Sequence, residues 1–203
     1  LRALAIIQTL NQAPYFREAL AELVHNLDDP VLASAAVRVA AELDGPEVAR
    51  VLERAFEHED TRTRANAVEF LPDALLAEQP DRWRDRLRHL AVHETHRPRA
   101  NAAARLCAWG DPGGPELLRR MLVDDRPPHR IAALWAVGAV PVLPLIGEVG
   151  ERAVSDPHPD VRQRADRLLH DLMNRLADPM TGTRSPVGPT SNPVPSRSLE
   201  VSA

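Results

Sequence analysis

Arg64-Ala65-Asn66-Ala67 lies in one apolar helical stretch, and Arg99-Ala100-Asn101-Ala102 repeats the phrase thirty-five residues later in the next. The looser form Arg-x-x-Ala occurs at Arg2/Ala5, Arg130/Ala133 and Arg162/Ala165, and Ser34/Val37 fills the remaining slot as a weakened copy. Successive spacings are 32, 30, 35, 31 and 32 residues. A period of that length with helical content marks stacked supersecondary units, each burying its apolar face only against its neighbours. The chain is therefore read as an all-α solenoid of about five to six two-helix repeats.

Composition agrees. Hydrophobic residues make up 44% of the 203 positions but aromatics only 3%, a balance that suits closely packed helices better than a β-sandwich. All 25 basic residues are arginine, which reads as the mark of a GC-rich, bacterial genome. Without lysine there is no Schiff-base amine, lysine general base or P-loop lysine. The formal charge of −4 gives no global attraction for nucleic acid. Its distribution is uneven: residues 28–60 hold nine acids against three arginines, and residues 81–105 hold seven arginines and three histidines against three acids. Cys107 is the only cysteine, so no disulfide forms within the chain and a reducing compartment is the simpler reading. With no apolar run near the roughly 18 residues that cross a bilayer and no signal-peptide pattern, the cytoplasm is the expected location.

Prolines punctuate the period twice per unit. Pro14, Pro46, Pro80, Pro115 and Pro144 (or Pro141) open second helices, where the missing N–H costs nothing. Pro30, Pro98, Pro127/Pro128 and Pro157/Pro159 fall in the turns leading into first helices, beside Asp28-Asp29, Glu59-Asp60, Asp124-Asp125 and Asp156, which suit helix N-termini. The expected pairs are 2–11 with 15–26, 31–43 with 47–58, 62–76 with 81–93, 97–109 with 115–123, and 128–138 with 142–154. A terminal helix follows at 159–177, apolar on one side and charged on the other, as a solenoid cap needs. At the other end Leu1 begins inside a first helix, so residues 1–177 read as a repeat domain truncated at its N-terminus, or one whose start is misplaced. Residues 178–203, rich in Pro, Ser and Thr, read as a disordered tail.

A two-helix unit with proline and aspartate in its turns and Arg-x-x-Ala at the head of its first helix resembles the HEAT repeat, particularly the short bacterial form also found in phycobilisome-lyase-type proteins. The best matches are 63–71, 98–106, and Asp156-Pro157-His158-Pro159-Asp160-Val161-Arg162 with Ala165. The resemblance covers residues 1–177 and implies a right-handed superhelix whose second helices line the concave side, used mostly for protein partners. Two departures stand out: Ser34 in the arginine slot, and a longer internal loop at Asp73–Pro80.

Recurrence in a solenoid is explained first by packing. Arg64, Asn66, Arg99, Asn101, Arg130 and Arg162 are therefore read as structural positions that bond turn carboxylates or carbonyls between adjacent repeats. A different set emerges when second helices are registered on their opening prolines. Arg50, Arg84 and Arg119 stand four residues on, and Arg54, Arg88 and Arg152 eight residues on. Such a row could bind an acidic helix, a carboxylate-rich tail or a phosphate backbone; the alternative is a solvated face neutralised by Glu53, Asp85 and Glu151. His89 and His93 are one helical turn apart but lack the glutamate of a zinc-hydrolase helix, and His96 lies beyond the helix end, so no metal site is read. Trp83, Trp109 and Trp135 occupy apolar stripes and read as core residues, and Cys107 reads as a small buried hydrophobe.

No catalytic constellation and no cofactor site is read from these residues. The chain is expected to be a non-catalytic protein-interaction scaffold, one segment of a larger bacterial regulatory or signalling protein. Two other readings stand beside it: nucleic-acid binding through the basic middle repeats, and a bilin-lyase-type enzyme or chaperone, the latter by fold analogy alone.

Overall fold

The computed structural model describes residues 1–26, 29–42, 46–140 and 142–177. The tail expected at 178–203, Asp28 and Pro141 lie outside the described residues. Twelve α-helices and no strand occur among the described residues. They are α1 (Arg2–Thr9), α2 (Arg17–Asn26), α3 (Pro30–Ala40), α4 (Pro46–Phe56), α5 (Thr61–Glu69), α6 (Asp73–Glu78), α7 (Pro80–His93), α8 (His96–Ala108), α9 (Gly114–Leu122), α10 (Pro127–Ala139), α11 (Ile146–Ser155) and α12 (Pro159–Ala177). Short 3-10 turns at Ala13–Phe16 and Leu143–Leu145 lead into α2 and α11. No helix among the described residues is long and apolar enough to cross a membrane.

The punctuation acts as its chemistry dictates. Pro30, Pro46, Pro80 and Pro127 each occupy the first position of a helix, where a donor would go unused. Asp29 and Asp60 are true N-caps: one carboxylate oxygen of each accepts two of the otherwise unpaired N–H groups of α3 and α5. Asp124 and Asp156 stand two residues before the caps of α10 and α12, and each accepts the N–H of the cap residue instead, from Arg126 at 3.0 Å and His158 at 2.9 Å.

First helices neighbour one another in chain order, α1 on α3, then α3 on α5, α5 on α8, α8 on α10 and α10 on α12. Second helices alternate between them, α2 touching α3 and α4, and α9 touching α8, α10 and α11. One apolar core runs through the array from Leu4 to Ala165, built mainly from Ala, Val and Leu. Full burial of a side chain such as Leu52, Leu87, Leu118 or Leu122 stabilises the array by about 1.5–3 kcal/mol each. Small residues let the helices close up. A Cβ at Gly114 would sit 2.8 Å from the Cys107 backbone nitrogen and Sγ, so only glycine lets α9 start this close to α8.

Three sequence expectations are corrected. The helix expected over 62–76 stops at Glu69, and the stretch expected as a loop from Asp73 contains α6. Pro72 lacks the N–H that would continue α5 and disfavours helical backbone at Leu71, so a new helix begins after it. The N-caps also move the register of α3. The arginines stand four residues beyond the caps Asp60, Thr95 and Arg126, and four beyond Asp29 is Ala33, not Ser34. Finally, α1 ends as α8 does. Asn11 (φ 52°) and Gly110 (φ 71°) are the only positive-φ residues described, and each donates to a carbonyl three residues back, while the next residue donates five back. Matching these ends places Arg2 at the position of Asn101, not of Arg99.

Candidate interaction surface

The recurring arginines sit at the joints between first helices. Arg130 donates from Nη1 to the carbonyls of Asp124 and Asp125, the two residues before its own cap, at 2.7 and 3.0 Å. Its Nε and Nη2 meet both oxygens of Asp156 in the next turn at 2.7 and 2.8 Å. Arg64 repeats the arrangement with the carbonyls of His58 and Glu59 and both oxygens of Glu94. Arg162 keeps the carbonyl half, donating to Asp156 and Pro157. Arg99 keeps the carboxylate half, reaching Asp124 at 3.3 Å, and donates to the Ala91 carbonyl. The planar fork of arginine suits this double duty, since one edge takes carbonyls and another a carboxylate.

Asparagines form a second set of links. Asn66 donates to the carbonyl of Ser34 at 3.0 Å, and Asn101 to that of Ala65 at 3.0 Å. With α3 registered on its cap, Ser34 and Ala65 are equivalent residues, so both asparagines make the same bond to the preceding first helix.

The proline-registered row on the second helices is less uniform. Arg50 and Arg54 are exposed on α4 and make no ion pair among the described residues. Arg84 and Arg88 both reach the buried carboxylate of Asp111, at 3.4 and 2.7 Å, and Arg84 also lies over the Trp109 ring at 4.7 Å. Arg119 bridges Glu116 and Glu148 at 2.8 and 2.7 Å. Bonds from Arg119 hold both carboxyls below their ordinary range, those of Glu116 with help from Arg120. Arg152 sits 3.7 Å from Glu151 and 3.9 Å from Asp156. The structure therefore leaves Arg50 and Arg54 exposed and pairs the other four with acids: Arg84 and Arg88 with Asp111 in the turn between α8 and α9, Arg119 with Glu148 of α11, and Arg152 with acids of its own helix and its C-terminal cap. Glu148 stands four residues after Pro144, at the place the arginines take in the earlier units, whereas Asp111 has no proline register of its own.

The basic middle is neutralised in the same way. All seven arginines between residues 81 and 105 make ion pairs: Arg82 with Glu53, Arg84 and Arg88 with Asp111, Arg86 with Glu57, Arg97 with Glu69, Arg99 with Asp124 and Arg105 with Asp73.

Among the histidines, His89 and His93 pack with ring centroids 4.5 Å apart, while His96 meets His129 across the joint of α8 and α10 at 5.7 Å. His129 is buried, with an Nδ1 that has no hydrogen-bond partner and lies 3.6 Å from Asp124. Burial lowers its pKa, more than the neighbouring carboxylate raises it. Trp83 is a core residue beside Phe56, whereas Trp135 is 41% exposed on α10 and departs from the expected core role. Its stripe position satisfied the helical period, but α8, α9 and α12 together leave that edge of α10 open to solvent. The Cys107 thiol is pushed up to about 11 by burial and by Asp111, and is inert as a nucleophile at neutral pH.

No protein-family model matches the chain, and no curated protein is similar to it.

Proposed function

We propose that the chain is a HEAT-like, right-handed α-solenoid segment that serves as a non-catalytic protein-interaction scaffold, in a larger bacterial regulatory or signalling protein acting in the cytoplasm. Its second helices line the concave side, and an acidic helix or tail binds there. The observation that carries this reading is the pair Arg50 and Arg54, exposed one helical turn apart on α4. Arginines spaced this way present two planar donor forks to one acidic ligand. The chain of joints supports the architecture, because each helix pair is buried by its neighbours in sequence order. The ion pairing of all seven middle arginines favours a protein partner over nucleic acid, since phosphate binding would have to break those pairs.

A labelled, glutamate-rich helical peptide provides the test. Binding should weaken at least about tenfold in Arg50→Glu/Arg54→Glu, with the unfolding midpoint unchanged because both side chains are exposed. Equal binding by that variant would overturn the assignment. Duplex DNA in the same titration distinguishes the alternative: tight binding with a steep salt dependence would favour nucleic acid instead.

A further inference from the structure

The buried residues of α4, α7, α9 and α11 set these second helices in one register. Val48, Trp83, Gly114 and Leu145 are buried at one place in or just before each helix, and Leu52, Leu87, Leu118 and Val149 four residues on. The steps between units are 35, 31 and 31 residues. Five residues beyond the second buried place stand Glu57, Val92, Val123 and Val154, the valines 52%, 58% and 84% exposed. Two residues beyond it stand Arg54, His89, Arg120 and Glu151, all exposed. Scattered exposed valines are ordinary, but valine at the same place in three successive units makes an apolar row.

The valine row and the basic row run side by side, about 5 Å apart, because their members stand three residues apart on each helix. Both lie along the flank of the array, so a helix pair added at either end would lengthen the rows and not cover them. They are offset by one unit. The basic row spans α4, α7 and α9, and the apolar row spans α7, α9 and α11. Glu57, which holds the apolar place on α4, is paired with Arg86. Arg120 bonds only Glu116 of its own helix, an exposed pair that costs little to exchange for another carboxylate.

Neighbouring helices of such an array lie about 8–10 Å apart, so an occupant of both rows must repeat at about that step. A β-strand returns to one face every two residues, about 7 Å, and falls out of step. A polyproline segment returns every three residues, about 9 Å, but its three rows of side chains diverge around the axis, so turning one onto the valines turns the others away. An α-helix returns to nearly the same face after seven residues, a climb of about 10.5 Å. Beside that strip it carries a second one, four residues on, that faces the same surface.

We infer that the acidic partner is an amphipathic helix lying across α4, α7, α9 and α11. Its apolar residues, one in every seven, pack on Val92, Val123 and Val154, and the carboxylates beside them meet Arg54, His89 and Arg120. Its acidic end lies at α4 and its apolar end at α11, where Glu151 replaces the basic residue. This rests on the scaffold reading and its Arg50/Arg54 site, and adds the apolar half of the interface and the period of the ligand.

The test is fluorescence anisotropy with the full chain and a labelled three-heptad peptide, carrying leucine at each seventh position and glutamate four residues after each. Replacing the leucines by alanine should weaken binding at least about tenfold. Val92→Ser/Val123→Ser/Val154→Ser should do the same and should bind both peptides alike, with its unfolding midpoint unchanged because these side chains are exposed. Equal binding of both peptides by the unaltered chain, lost in Arg50→Glu/Arg54→Glu, would overturn the inference and leave the acidic-partner reading standing. Binding of neither peptide would overturn both. A peptide with leucine at every third position that binds more tightly than the heptad peptide would put an extended chain in place of the helix and overturn the inference as well.

Discussion

The joint between α10 and α12 and the joint between α3 and α5 occupy equivalent places and are held by different means. At the first, Arg130 and Asp156 form a two-pronged ion pair with side chains only 5% and 0% exposed. At the second, Ala33 stands in the arginine place and His58 in the acid place, two residues before the cap Asp60. His58 still accepts the cap's N–H at 2.9 Å, as Asp156 accepts that of His158, so the local half of the acid's work survives. What is lost is the link across the joint, and both its members are lost together. Keeping one alone would strand a charge in the core, which is far more costly than having neither. The α3–α5 joint relies instead on apolar packing and on Asn66 bonded to Ser34.

The largest expected effect is at the buried pair. Asp156→Ala leaves the Arg130 guanidinium buried without its carboxylate and removes the cap of His158, so urea unfolding should show a loss of about 3–5 kcal/mol. The double variant Arg130→Ala/Asp156→Ala should be more stable than Asp156→Ala alone. Arg130 also bonds two turn carbonyls, so a small residual loss in the double variant is expected. Additive losses would mean that the ion pair contributes no coupling, and the contrast between the two joints would disappear.

Acid sharpens the same contrast. Burial raises the Asp156 pKa, but bonds from Arg130 and the His158 N–H outweigh it and leave the group below its ordinary value. Asp124 is held well below the usual carboxylate range, first by the Arg126 side chain. In both, the unfolded chain binds the proton more readily, so their stabilisation is complete above the unfolded pKa, about 4, and is lost as pH falls through the folded values. His129 has the same sign at higher pH. Its folded pKa is depressed, so stability falls as pH drops below the unfolded value of about 6.5 and levels off below the folded one. Thermal unfolding between pH 7 and pH 3 should therefore show a shallow early loss that His129→Gln removes and a steeper late loss that Asp156→Asn reduces. A profile unchanged by either substitution would contradict these assignments.

Much of this architecture is legible in the sequence because proline and the arginine phrase are local signals. Helix starts at Pro30, Pro46, Pro80 and Pro127 follow from one residue's missing donor. The partners of the arginines are a different matter. Glu94, Asp124 and Asp156 stand 30, 25 and 26 residues beyond Arg64, Arg99 and Arg130, because α6 is added between the first pair and because Glu94 stands one residue before its cap where Asp124 and Asp156 stand two before theirs. No fixed spacing marks them. The register of α3 was hidden for a related reason: in Leu32-Ala33-Ser34-Ala35-Ala36 several small residues fit the same slot, and only the Asp29 cap decides among them. Asp111, which takes two arginines of the preceding helix pair, was hidden inside a turn whose glycines and proline read as a connection.

A smaller effect is expected where the contrast rests on a neutral bond. Asn101→Ala removes a buried link to the Ala65 carbonyl and a longer one to the Glu69 carboxylate, and should cost about 1–2 kcal/mol, less than the loss at Asp156 because Glu69 keeps Arg97 as its counter-charge. Asn66→Ala should cost at least as much, since its joint has no ion pair to share the load. The reverse order in urea unfolding would show that packing alone holds α3 to α5.

The most discriminating test rebuilds one joint in the image of the other. Ala33→Arg alone inserts a guanidinium at a fully buried position whose acid partner is replaced by His58 in the register of the other joint, and should destabilise by about 1–3 kcal/mol through overpacking and an unpaired charge. His58→Asp alone keeps an acceptor for the Asp60 N–H, so its cost should be below about 1 kcal/mol. Combined, the new arginine gains the carboxylate that Arg130 has in Asp156, and the pair should recover most of the loss of Ala33→Arg, a coupling of about 1–3 kcal/mol in a double-mutant cycle. The net change should be the smallest of any prediction here, and its size matters less than its sign. Favourable coupling would show that arginine and acid are interchangeable parts of a common joint. Coupling near zero would show that α3 and α5 meet in a geometry of their own, to which the arginine register does not transfer.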